Sequence, residues 1–139
     1  GAARASRSVG LRVKVQTTDW VDIDRVQVLV NGRKREDVNF TRAKNPDMFT
    51  EGVVSFEQEI DVPLSEDSHL IVVAYGEGFD LRTGYGSSSQ SGLRPCAYTN
   101  PIYVDVDGGG FVPNGDTLGF PLPVGGMSVA EAKSLLGTQ

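Results

Sequence analysis

Three observations predict an all-β fold, an immunoglobulin- or fibronectin-like antiparallel β-sandwich of about seven strands with a short C-terminal helix. Short segments alternate apolar and polar residues with the period of a half-buried strand. Glycine, proline and asparagine separate these segments at turn-like intervals. No internal repeat of roughly 20 to 50 residues marks a solenoid.

Leu11, Val13 and Val15 alternate with Arg12, Lys14 and Gln16, which predicts a first strand with one wet face. Val26, Val28 and Val30 repeat the pattern. Asn31-Gly32 follows with residues that tolerate positive φ in a type I′ turn, so a hairpin should return through Arg33 to Phe40. After a loop around Pro46 and Asp47, Val54, Phe56, Ile60 and Val62 alternate with Ser55, Glu57, Glu59 and Asp61, leaving Gln58 as a polar exception on the inner face. Residues 70–75 (LIVVAY) are apolar at every position, which predicts a central strand covered on both sides. Residues 98–106 (YTNPIYVDV) resume the strand pattern, with Pro101 confining the start to an edge or bulge. Between these last two strands, residues 84–92 (GYGSSSQSG) read as an exposed loop. Trp20, just before the second strand, is expected to fill the space between the sheets. Finally, Ser128-Val129-Ala130-Glu131 has the capping-box pattern and opens a helix that Gly137 ends. About eight residues are too few for a helix to stand alone, so Val129, Leu135 and Leu136 should dock on this domain or a neighbour.

At 139 residues the chain has one domain's length. Residues 1–10 read as a linker with Gly1 a tag remnant, residues 11–107 as the sandwich, and residues 108–139 as a Gly/Pro-rich tail carrying the helix. The small, basic start suits a tether to a preceding domain. A net charge of -5 and a pI near 4.8 argue against a nucleic-acid partner. No run approaches the ~20 apolar residues that cross a bilayer, so no membrane partner is expected. A single cysteine, Cys96, excludes an internal disulfide and fits either redox compartment. A single histidine, His69, excludes a zinc site built on several histidines and cysteines of this chain.

Catalysis has few places to sit. A nucleophilic triad needs a histidine base, and only His69 could serve, at the start of the most apolar strand. Cys96 follows Pro95 without a CxxC partner and is expected to be a buried or half-buried thiol. Paired carboxylates for a glycosidase could come from Asp19, Asp22, Asp24, Asp105 and Asp107, but spacing sets no two of them across a cleft. No catalytic residue is therefore assigned. The residues from Asp105 to Asp116 align with a calcium loop, with Asp105, Asp107 and Asp116 at its first, third and twelfth positions and Gly110 at the sixth. Gly109 stands where a fifth-position oxygen ligand belongs, and Asp116 is shorter than the usual bidentate glutamate. These three aspartates are the metal candidates and calcium the candidate ion, with no other cofactor expected. Tyr85, alone in its polar loop, is the candidate exposed ring for ligand binding.

The segments 26–33 (VQVLVNGR) and 97–108 (AYTNPIYVDVDG) resemble the C-terminal β-sandwich that follows the catalytic domain in bacterial metal-dependent hydrolases of the polymerase-and-histidinol-phosphatase (PHP) superfamily, CehA/McbA type. The likeness spans roughly residues 11–116, and the second segment is its more telling half. It implies an accessory domain whose partner is an upstream metallohydrolase domain of the same polypeptide. That family's metal-binding histidines and acids lie in the preceding domain, so the resemblance transfers no catalytic role to any position here. The alternative expectation is an independent module for a carbohydrate or cell-surface polymer, stabilised by calcium.

Overall fold

The computed structural model describes residues 7–119 together with Ser128, Ala130, Glu131 and Ser134. Among these residues seven strands run in the order β1 (Arg7–Gln16), β2 (Arg25–Val30), β3 (Arg33–Thr41), β4 (Val54–Leu64), β5 (Ser68–Tyr75), β6 (Cys96–Tyr98) and β7 (Ile102–Val104). A 3-10 turn at Pro46–Met48 and one helical turn, α1 (Arg82–Tyr85), interrupt the strands. β1 and β4 form a two-stranded antiparallel sheet. The other five strands form a second antiparallel sheet ordered β3-β2-β5-β6, with β7 also paired to β5. Both sheets feed one core, as the alternation predicts: Val13, Phe56, Ile60 and Val62 meet Val26, Val28, Leu70 and Ala74 in a single buried cluster. The architecture is an all-β sandwich.

The hairpin forms where Asn-Gly places it. Val30 pairs with Arg33 across the turn, and Asn31 and Gly32 take φ of 52° and 76°. Asn31 also ties the turn to β5, donating from its N–H to the His69 carbonyl (2.9 Å) and accepting the His69 N–H on Oδ1 (3.0 Å). In β4, Glu57, Glu59 and Asp61 face solvent while Phe56, Ile60 and Val62 are buried. Ser55, also buried, is matched by a 2.6 Å hydroxyl contact with Thr17.

Four expectations need correction. The apolar run of β5 is covered on its inner side by the core, but His69, Ile71, Val73 and Tyr75 on the outer side are only half-buried. The expected strand over 98–106 is two short strands, broken at Thr99-Asn100-Pro101 because Pro101 has no N–H to give the ladder. Thr99 bridges part of the gap, donating its N–H to the Val72 carbonyl (3.0 Å) and accepting the Val72 N–H on Oγ1 (3.1 Å). Trp20 does not fill the inter-sheet space. It is 37% exposed, and its ring lies over Gly84, where a Cβ would sit 2.5 Å from Cη2. Cys96 is exposed, because it opens the edge strand β6 on the outer face opposite Tyr75.

At the far end Ala130, Glu131 and Ser134 are helical. The capping box forms there: Ser128 N–H donates to Glu131 Oε2 (2.8 Å), and Glu131 N–H donates to Ser128 Oγ (3.3 Å). The Ser128 N–H first, and its hydroxyl second, both donating to Oε2, lower the Glu131 pKa. The expected docking residues Val129, Leu135 and Leu136 lie outside the described residues.

Candidate functional site

Asp67, in the turn between β4 and β5, reaches across to the segment after β7. Its Oδ1 accepts the Val106 N–H (2.9 Å) and its Oδ2 the Val112 N–H (2.8 Å). Between those anchors the glycines wrap onto Asp105 and Asp107. Gly108 N–H donates to Asp105 Oδ1 (2.6 Å), Gly110 N–H to Asp105 Oδ2 (2.7 Å) and Gly109 N–H to Asp107 Oδ1 (2.8 Å). Gly108 and Gly110 take φ of 81° and 99°, left-handed conformations that open the loop enough for its N–H groups to converge. The Gly110 and then the Gly108 N–H favour the ionised form of Asp105 and lower its pKa.

Asp67, Asp105 and Asp107 each bring a carboxylate oxygen within 4.8 Å of the others. Hard oxygens so grouped suit a divalent cation such as calcium. The same oxygens already hold the loop through five N–H groups, so the cluster has a structural role without an ion. Of the aspartates predicted from sequence, two belong to this group. Asp116 is placed elsewhere, in a bidentate pair with Arg33. Asp67 was missed because calcium-loop spacing looks only within one contiguous segment, and Asp67 lies 39 and 45 residues before the amides it holds. Beside the cluster a cavity of about 440 Å3 is lined by Arg7, Glu66, Asp67, Asp107 and Val112 among others. Arg7 closes one side by donating to the Val106 carbonyl (2.7 Å).

The remaining candidates are dispersed. Asp22 accepts from Arg42 (2.7 Å), and Asp24 accepts the N–H groups of Glu77 and Gly78 (both 2.7 Å), so these carboxylates fasten the loop before β2 to neighbouring segments. The His69 ring lies 6.4 Å from that of Tyr103, and among the described residues no hydroxyl or thiol is hydrogen-bonded to it. Tyr85 ends α1 and is 46% exposed.

The outer face of the five-stranded sheet carries what alternation alone would not give it. Leu29, Ile71 and Val73 are half-buried there, and Tyr98, the register partner of Val73, is 77% exposed. Tyr103, opposite His69, is 64% exposed and rests edge-on against Phe111 at 4.9 Å. Among the described residues no second layer of strands lies over this face.

No family model, curated protein or solved structure matches the chain.

Proposed function

We propose that this chain is a non-catalytic accessory β-sandwich that packs on an upstream domain of the same polypeptide through the outer face of its five-stranded sheet. The carrying observation is the position of Ile71, Val73 and Tyr98: a strand apolar on both sides is normally covered on both, and here one side is half open. The immunoglobulin-like character and the kinship with the sandwich of PHP-superfamily metallohydrolases of bacteria belong to the same proposal. They rest on the likeness of segments 26–33 and 97–108. Engagement of Asp22 and Asp24 in structural hydrogen bonds, and of His69 with a ring, supports a supporting rather than a reacting role.

The test is a polypeptide that includes the upstream sequence, compared with its Tyr98→Asp/Tyr103→Asp variant. Both rings are exposed and only Tyr103 gives up a ring contact, with Phe111, so the isolated sandwich should lose little melting temperature while the longer polypeptide loses stability and activity. Identical behaviour of the two long forms would refute the docking reading.

A second reading, a carbohydrate- or cell-surface-polymer-binding module stabilised by calcium, is favoured by the exposed rings of Tyr98 and Tyr103 and by the Asp67, Asp105 and Asp107 cluster. It predicts glycan-array hits that weaken when Tyr98 is changed to Ala. It also predicts a rise in melting temperature with millimolar calcium that Asp67→Asn abolishes. An empty array together with indifference to calcium sets it aside.

A further inference from the structure

β1 is one of the two edges of the smaller sheet. It pairs with β4 from Arg7 to Gln16 and with no other strand among the described residues, so its second row of backbone N–H and C=O groups lacks a ladder partner there. The opposing sheet reaches further than β1 covers. Leu70 is fully buried, yet its register partner Ile102 is 41% exposed, and Ala97, opposite buried Ala74, is exposed as well. Between the edge and these strands runs a groove of about 340 Å3, lined by Leu11, Val13 and Val15 on one side and by Val72, Ala97 and Ile102 on the other.

An open backbone edge above an apolar floor is the geometry that accepts one more strand. At ~3.3 Å per residue the stretch from Leu11 to Gln16 spans roughly 20 Å, the length of a strand of about six residues. Charge then narrows the occupant. Arg12 and Lys14 project from the outer face of β1 with side chains 75% and 47% exposed, and both lean 3.4 Å from one carboxylate, that of Glu57. A strand added at the free edge would lay its own outward residues beside Arg12 and Lys14, where acids are attracted and bases repelled. A second copy joined β1 to β1 around Val13 would bring Arg12 opposite Lys14, and like charges directly opposite are destabilising.

We infer that the groove beside β1 is a docking site for an extended polypeptide segment in which apolar residues alternate with Asp or Glu, added as a third strand of the smaller sheet. This site touches the outer face of the larger sheet only through Tyr98, which stands at the rim of both.

The probes are two capped peptides of about six residues, one alternating valine with glutamate and one alternating valine with lysine, titrated into the 139-residue chain. The glutamate peptide should slow exchange of alternate amides between Leu11 and Gln16 by about tenfold or more at saturation, and the lysine peptide should not. Arg12→Glu with Lys14→Glu should reverse that preference. Ile102→Asp, at a half-open position, should weaken the glutamate peptide by more than its small fall in melting temperature accounts for, and Ile102→Ala should weaken it less. The inference is overturned if neither peptide saturates at millimolar concentration, if protection appears outside β1, or if β1 amides become protected with rising protein concentration alone, which would make a second copy the occupant. Arg12, Lys14 and Ile102 lie off the outer face of the larger sheet, so these variants leave the docking face intact and the two sites can fail separately.

Discussion

Arg33 grips Asp116 with two hydrogen bonds, Nε to Oδ2 at 2.5 Å and Nη2 to Oδ1 at 2.8 Å, across 83 residues of sequence. The pair anchors the segment after β7 to the β2–β3 turn, where Leu118 also covers Gly32. Arg33 first, and the Leu118 N–H second, hold the Asp116 carboxyl down to about 2. An unfolded aspartate titrates at about 3.9, so the folded state binds its proton less readily. The contribution is therefore complete above the unfolded value and is lost as pH falls through the folded one. Urea midpoints taken between about pH 5 and about pH 2 should decline less steeply for Asp116→Asn than for the wild type. Parallel curves would show that the pair does not couple to folding.

Phe56 is fully buried in β4, with the Phe49 ring edge-on at 5.2 Å and the Phe40 ring at 6.2 Å. It joins the loop after β3 to the inter-sheet core. Phe56→Ala should destabilise the chain by about 3–5 kcal/mol, from lost burial and the cavity left behind. Chemical denaturation measures this directly. A loss under about 1 kcal/mol would mean that the two sheets do not share one core.

Periodicity made much of the fold legible, and its limits explain the rest. β1 and β4 from Phe56 onward obey a period of two, β2 departs from it at buried Gln27, and Asn31-Gly32 specifies its turn through backbone conformation alone. Trp20 belongs to no periodic segment, so its hydrophobicity argued for burial while nothing in the pattern located Gly84 beneath it. Cys96 was misread because burial at a strand end depends on whether the strand is an edge, which is a property of pairing. The candidate site divides in the same way, with Asp105 and Asp107 brought together and Asp116 drawn off. Calcium-loop spacing grouped Asp116 with Asp105 and Asp107, yet proximity along the chain yielded to a distant arginine, and Asp67 took a place among the aspartates from another turn.

Asp67 is the residue on which that loop depends, since each of its oxygens holds a different backbone amide. Asp67→Ala leaves the Val106 and Val112 N–H groups without their acceptor and should destabilise by about 1.5–3 kcal/mol, the range for hydrogen bonds to a charged group. Asp67→Asn keeps one carbonyl acceptor and should lose less. Amide exchange at Val106 and Val112 should accelerate in the Ala variant before any change appears in β2. Unchanged exchange at both amides would show that the loop holds its shape without Asp67.

Two glycines separate a rigid neighbour from a yielding one. A Cβ on Gly76 would lie 2.7 Å from the Asp22 carbonyl oxygen and 2.9 Å from Pro95 Cγ, and Gly76 N–H is itself bonded to the Pro95 carbonyl at 3.0 Å. Backbone on one side and a proline ring on the other leave little room to give, so Gly76→Ala should cost about 1–3 kcal/mol. At Gly84 the obstacle is the Trp20 ring, a side chain already 37% exposed that can swing outward. Gly84→Ala should therefore destabilise less, while shifting tryptophan emission to longer wavelength as the ring enters water. Trp20 is the one tryptophan of the chain, so that emission reports this site alone. A larger stability loss at Gly84 than at Gly76, or an unshifted spectrum, would place the Trp20 ring in a fixed role that its exposure argues against.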